Sequence, residues 1–351
     1  MNKVLFLEDE KYLLNLGVFE NCACCDGTED YKILDSTIKK YDLVISQLYT
    51  SPLSNFLIIK AKNNNVKTML LCDGVLEWAN CFTNPMNSKY NLNFYHPILH
   101  DMVLSVGNVE SKYFKFLGFN SKQYVPKRMK PTMDKIGKVN KNRLLITTAN
   151  TAYYNNSEKL HLVTLIKDVQ SSCHVIQLDY IFRLFDDELI NLLGVSDEKN
   201  HINGSFEECL TLVDFVVSTP SSISISAMFH GKPLGHLIYR DAPMFVQAGW
   251  NISSSIDIDL TLKHMISFNK ERLDFQDFQV SNYITDDMGL EEDIFKELSK
   301  QKSEKIEKFI NQNLYNMLNS KFNFNIEYSI RKLYLSFKSH RLFKVVKKKL
   351  Y

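Results

Sequence analysis

No apolar run in this 351-residue chain approaches the roughly 18 residues that a membrane-spanning helix needs. The N-terminal apolar stretch, Val4 to Leu7, is too short for a secretory signal and is followed at once by acids. Both features lead to the expectation of a cytoplasmic protein. Seven cysteines are present, but Cys22 and Cys25 form the sole CxxC, so a paired-CxxC zinc site is excluded. Reduced thiols in a reducing compartment are the ordinary reading, with a redox or metal pair as the alternative. No GxGxxG follows a predicted strand and no GxxxxGKS occurs, which weakens dinucleotide and P-loop readings. A GxSxG elbow is also missing, which removes the common serine-hydrolase plan. There is no fixed-period repeat of the solenoid kind.

What is present is ordinary globular material: 45% apolar and 23% charged residues, enough for two domains of about 150 residues each. The formal charge of +2 is unevenly spread. Arg331 to Tyr351 carries eight Lys or Arg and no acid, which leaves the rest of the chain at about −6. An acidic body argues against nucleic acid as a partner.

Lys3–Leu7, Leu43–Ser46, Thr68–Cys72 and Met102–Val106 are short Val/Leu/Ile-rich runs that end in small or polar residues, the mark of buried parallel strands. Helix-length segments such as Pro52–Asn63 lie between several of them. The Lys-rich stretch Lys122–Asn142, with Pro126 and Pro131, reads as a linker. A second series follows. Strands are predicted at Leu144–Thr148, His174–Leu178, Phe215–Ser218 and Leu234–Tyr239, with helices at Glu158–Val169, Phe206–Leu212 and Ser221–Phe229. The fold expected is α/β: two Rossmann-like domains facing a central cleft, with a helical C-terminal tail. The divisions are 1–130, 143–260 and 261–351. Ligands of such sheets bind at the carboxyl ends of the strands.

The most informative stretch runs from Asp214 to Pro233. A buried strand ends at Ser218, Thr219 is the expected N-cap, Pro220 the first helical position, and Ser221 and Ser222 fall in the first turn. Free backbone amides and two hydroxyls at a helix N-terminus suit a phosphate, although an ordinary strand–cap–helix unit also uses one Ser or Thr. Lys232 and Arg240 are nearby cations that would add positive charge or serve the structure. Across the cleft, Asp73 follows a strand directly and Gly74 permits a sharp turn. A carboxylate there is either a general base for an acceptor hydroxyl or the cap of the turn. Glu77 and Trp78 come one turn later, and Trp78 either stacks on a sugar or sits in the core. His96 lies in a Tyr-His-Pro loop as a ligand contact or a structural histidine. Thr147, Thr148 and Asn150 end the first strand of the second series, as ligand contacts or as solvated polarity. Asp257-Ile-Asp259 is a DxD tripeptide with no phosphate loop beside it.

The order of Ser221, Ser222, Gly231-Lys232-Pro233 and Ala248-Gly249-Trp250 resembles the donor half of bacterial GT-B glycosyltransferases, especially capsule enzymes that transfer Kdo. The double serine and Asp73-Gly74 are also similar to motifs of bacterial sialyltransferases. The resemblance implies an inverting, metal-independent glycosyltransferase. It would move a sugar from a CMP- or UDP-linked donor to a glycan or glycolipid of the capsule or lipopolysaccharide type, with no cofactor. Asp73 would be the base. Thr147, Thr148, Asn150, Ser218, Thr219, Ser221, Ser222, Lys232 and Arg240 would lie on the donor side, and Gly74, Glu77, Trp78 and His96 on the acceptor side. A nucleotide-sugar epimerase and a non-catalytic scaffold of the same fold are the alternatives. Residues 329–351 alternate cations with Leu333, Phe337, Leu342 and Phe343, a pattern expected to dock on an anionic membrane surface or to pack back on the body. The expected location is the inner face of the bacterial cytoplasmic membrane.

Overall fold

The computed structural model describes residues 2–26, 35–47, 52–77, 98–240, 244–253, 256–284 and 289–301. Two all-parallel sheets form the body. The first holds six strands, β1 (Lys3–Phe6), β2 (Ala23–Asp26), β3 (Leu43–Ser46), β4 (Lys67–Leu71), β5 (Met102–Val106) and β6 (Ser121–Tyr124), in the order β2-β1-β3-β4-β5-β6. The second holds five, β7 (Arg143–Thr147), β8 (Asp179–Arg183), β9 (Phe215–Ser218), β10 (Leu234–Leu237) and β11 (Trp250–Ile252), in the order β11-β10-β9-β7-β8. Each order reverses once, between β1 and β3 and between β7 and β9, so each sheet has a switch point where its strand ends open a crevice.

The central strands are fully buried, as their unbroken apolar runs require. Three expectations change. Residues 121–124 are strand β6 and Lys127–Met129 a 3₁₀ turn, so the predicted linker begins later. No strand is expected at Ala23–Asp26, yet these residues form β2. Both strands lie at sheet edges, where Ser121-Lys122-Gln123-Tyr124 needs no apolar run. The predicted strand His174–Leu178 is instead the end of a helix, and the strand is Asp179–Arg183. That helix keeps Leu162, Leu165, Ile166, Val169 and Cys173 on one buried face, and this spacing overrides the β-branched pair Val175-Ile176.

The helices are α1 (Glu10–Leu16), α2 (Asp35–Ile38), α3 (Pro52–Asn63), α4 (Asn108–Phe116), α5 (Asn156–Val175), α6 (Asp187–Leu193), α7 (Phe206–Leu210), α8 (Ser222–Phe229), α9 (Ile258–Ile266), α10 (Lys270–Ser281) and α11 (Leu290–Lys300). Local chemistry sets several ends. Asp9 caps α1 by accepting from the Lys11 amide at 2.9 Å. Ser205 and Glu208 form a reciprocal capping box on α7.

The chain then returns to the first sheet. After α9 has packed on β11 and α10 on α8, the Asn108 amide donates to the Asn282 carbonyl at 2.7 Å, and Tyr283 lies over Gly107. A Cβ at Gly107 would meet that ring at 2.5 Å, so only glycine fits. Ile294 and Leu298 of α11 then bury themselves in the core cluster that also holds Val4 and Phe6, each contributing about 1.5–3 kcal/mol. No helix among the described residues is long and apolar enough to cross a membrane. The basic segment 329–351 lies outside the described residues.

Candidate functional site

At the carboxyl edge of the first sheet, Tyr124 donates its hydroxyl hydrogen to the Cys72 carbonyl at 2.6 Å and anchors the chain just past β4. Asp73 follows, about half exposed, and its Oδ2 accepts from the Tyr12 hydroxyl at 2.7 Å. Tyr12 in turn accepts from the Gln47 side-chain amide at 3.1 Å, and the Gln47 backbone amide donates to Glu8 at 3.1 Å. The switch point between β1 and β3 therefore orients the Asp73 carboxylate. Burial, followed by the hydrogen bond to Asp73, pushes the Tyr12 pKa well above the usual phenol value, so Tyr12 is a hydrogen-bond donor at neutral pH. Arg128 donates to the Asp73 carbonyl and stands 4.0 Å from its Oδ2.

On the second sheet, β9 ends at Ser218, whose hydroxyl is buried and 3.2 Å from that of Ser224. Thr219 does not cap α8 as expected. Its Oγ1 accepts from the Ala149 amide at 2.7 Å and ties the β9 end to the β7 end. Ser221 occupies the N-cap position in extended backbone, yet makes no side-chain capping bond, and its buried Oγ has no partner among the described residues. Ser221 and Ser222 at this helix start line the cleft, and α8 has no side-chain cap among the described residues. Gly74 brings the two edges together. A Cβ there would lie 3.2 Å from Arg128 Nη2 and 3.4 Å from Ser222 Oγ.

The cleft has two lobes that share Asp73, Ala149, Ser221 and Ser222. One, of about 270 Å³, is lined mainly by Val75, Leu76, Tyr154 and Phe245. The other, of about 530 Å³, is lined by Arg128, Lys130, Thr132, Asn150, Ser205 and Glu207. Glu207 accepts from Thr132 and pairs with buried His230 at 3.1 Å.

Of the residues singled out from sequence, Asp73, Gly74, Asn150, Ser221 and Ser222 meet here. Thr147 is turned to the sheet and donates to the Arg183 carbonyl at 2.8 Å, while Thr148 is buried. Lys232 is corrected: it lies wholly buried at the amino edge of β10 and donates to the Gly137 and Val213 carbonyls at 2.6 and 2.8 Å. Burial pushes its pKa down to about 8. Arg240 is likewise committed. It binds Glu77 and, at 3.1 Å, Glu158, with its guanidinium against Tyr154 and Tyr239. Glu77 lines the smaller lobe and also joins the two halves through Arg240 and a bridge to Met244. Burial raises the Glu77 pKa, and the Arg240 charge opposes that shift. Trp78 and His96 lie outside the described residues. Asp257 sits at the N-cap of α9 and Asp259 faces Lys263 at 3.9 Å, and neither lines the cleft.

Tyr12, Gln47 and Arg128 were not found by sequence reasoning. Tyr12 and Gln47 follow strand ends and were reachable by the rule applied to Asp73. Arg128 was hidden in the Lys-rich stretch.

No protein-family model matches the sequence, and no curated protein does. Solved structures match in fold. MnaA of S. aureus with UDP superposes with a TM-score of 0.54 at 15% identity, covering 86% of this chain and 99% of that one. HepE of Anabaena in complex with UDP gives 0.52 at 11%, with 86% and 100% covered. The UDP-GlcNAc 2-epimerase from Neisseria meningitidis bound to UDP-GlcNAc gives 0.51 at 13%, with 85% and 100% covered. Two parallel sheets with their strand ends on one cleft, and helices returning at the C-terminal side, make this a GT-B fold.

Proposed function

We propose that this protein is a nucleotide-sugar enzyme that transfers the sugar, with inversion and without a metal, to a glycan or glycolipid acceptor. The observation that carries the reading is that Asp73 and the N-terminus of α8, which has no side-chain cap among the described residues, line one cleft, with Gly74 letting Ser222 and Arg128 approach each other. Asp73 takes the proton of the acceptor hydroxyl as that oxygen attacks the anomeric carbon. The departing phosphate keeps the bonding pair, and the Ser221 and Ser222 hydroxyls with the first-turn amides of α8 stabilise its charge. A uridine nucleotide is favoured over a cytidine one, because MnaA, HepE and the Neisseria epimerase share the fold and carry UDP or UDP-sugars. The resemblance to capsule Kdo-transferases and sialyltransferases supports a capsule or lipopolysaccharide acceptor. A membrane-borne acceptor fits the basic, aromatic-studded segment 329–351, through which the protein would dock on an anionic inner-membrane surface.

A second reading, nucleotide-sugar epimerase, is favoured by the Neisseria match. One experiment separates the two. Thermal shift with UDP, CMP, GDP and CDP identifies the nucleotide, since a ligand at 100 times its Kd adds about 2.7 kcal/mol. The matching nucleotide sugars are then incubated with and without membrane extract as acceptor. Release of nucleotide only with acceptor is expected. Isomerisation of the sugar without acceptor would replace transfer by epimerisation, and no response to any nucleotide would leave a non-catalytic scaffold. Vesicles of phosphatidylcholine and phosphatidylglycerol should sediment the full chain at low salt and release it at high salt. No sedimentation at any salt would overturn the docking role.

A further inference from the structure

Arg128 stands in the 3₁₀ turn Lys127–Met129, where the first half ends and the chain crosses to the second. The turn packs against α1 on one side and α8 on the other, and Met129 is buried between them. The guanidinium is therefore held at the seam. Its Nη2 and the Ser222 hydroxyl lie 3.2 and 3.4 Å from one point, the place where a side chain at residue 74 would begin. Arg128 and Ser222 also line the same lobe of the cleft, of about 530 Å³. A space bounded by a guanidinium on one side and by a hydroxyl with helix N-terminal amides on the other suits a multiply charged oxyanion. Lys130 lines the same lobe two residues on. Arg128 Nη2 donates to the Asp73 carbonyl, which uses one of the five guanidinium N–H groups, and the Asp73 Oδ2 stays on Tyr12, 4.0 Å from the guanidinium.

The inference rests on the nucleotide-sugar reading. We infer that Arg128 is a ligand of the donor's distal phosphate, contributed by the first half, so that a nucleoside diphosphate is held from both halves at once. This part of the lobe adjoins Asp73, where the acceptor attacks, and the phosphate joined to the transferring sugar is the distal one. Arg128 then places a fixed positive charge where negative charge develops as the sugar–phosphate bond breaks.

Calorimetry of the full chain with UDP and with UMP tests this. Wild type should bind UDP more tightly than UMP. Arg128→Ala should weaken UDP by about 10–100-fold, the size of one charge-assisted hydrogen bond, and leave UMP unchanged. Arg128→Lys should recover part of the loss, since it keeps the charge but not the fork. Gly74→Ala, whose methyl fills the same point without removing charge, should also weaken UDP selectively. Lys127→Ala, an exposed neighbour 3.7 Å from Glu20, should change neither nucleotide. Unchanged UDP affinity in Arg128→Ala overturns the inference and leaves the nucleotide reading intact. A parallel fall of UDP and UMP overturns it as well, because it marks a role in shaping the turn. Failure of wild type to bind either nucleotide overturns both.

Discussion

The two edges of the second sheet use similar residues in opposite ways. At the amino edge, the Asp214 carboxylate accepts from the backbone amides of Val139, Asn140, Lys141 and Asn142 at 2.6–2.9 Å. Lys232 fills two carbonyls, and Gln276 accepts from the Leu234 amide at 2.9 Å while donating to the Lys232 carbonyl at 2.9 Å. These groups are buried and well supplied with partners, which is what a group that holds shape requires. At the carboxyl edge, the buried Ser221 hydroxyl has no partner and α8 no side-chain cap among the described residues. Polar capacity left open at a cleft is capacity for a ligand. The Gly-Lys-Pro motif, which looked like part of the donor site, belongs to the first group.

The largest effect that would test this contrast is at Asp214. Its replacement by Ala removes four charge-assisted hydrogen bonds and leaves four amides to find other partners, so a loss of at least about 4 kcal/mol in urea denaturation is expected. A loss under about 1 kcal/mol would break the comparison. At the cleft, Asp73→Asn should lower turnover by about 10²–10⁴ and leave the melting temperature unchanged, since the carboxylate is half exposed. Wild-type turnover would remove Asp73 as the base, and a collapsed melting temperature would make it a turn cap. Ser221→Ala with Ser222→Ala should weaken UDP by about 1.5–3 kcal/mol for each hydroxyl that binds phosphate. The ligand-free variant should be at least as stable as wild type, because an unpartnered buried hydroxyl is lost. Calorimetry and thermal melting read the two parts separately.

The smallest effect concerns pH. Burial pushes His236, under α8 on Ser224, and His100, on Ser46, down to about 3. Their folded pKa values lie below the unfolded value of about 6.5, so the unfolded chain binds more protons as pH falls. Stability from these two groups is complete above about pH 6.5 and is lost as pH falls toward 3. Near pH 5.5 this amounts to about 1 kcal/mol for each histidine. Glu110 has the opposite sign. Burial lifts it to about 8, so its contribution is complete below about pH 4.5 and is lost as pH rises through 8. Urea midpoints at pH 5.5 and 7.5 for wild type, His236→Asn and Glu110→Gln should show the acid dependence shrinking in the first variant. In the second, stability should rise at pH 7.5. Unchanged profiles would mean that these groups are hydrated.

Legibility from sequence followed burial. Leu43–Ser46, Met102–Val106, Phe215–Ser218 and Pro52–Asn63 are found where they were expected, because a strand buried on both faces must be apolar throughout and a helix end has its own chemistry. β2 and β6 escaped because edge strands are held by backbone pairing to a neighbour far away in sequence, as between Ser121 and Val103. The serine pair was readable because it sits on the helix it serves. The roles of Lys232 and Arg240 were not, since Gly137, Val213, Glu77 and Glu158 reach them from distant parts of the chain.

By itself the sequence determined the alternation of buried strands and helices, the two series of parallel strands, and the residues that close strands with a carboxylate or a pair of hydroxyls. Period, length and local capping are properties of neighbours along the chain, and they are written there. Only the tertiary structure decided which polar groups were already occupied. It joined Asp73 to Tyr12 and Gln47, closed Arg240 onto Glu77, buried Lys232, and brought Arg128 beside Ser222 at Gly74. Those pairings depend on how two sheets meet, and no local rule of spacing carries that information.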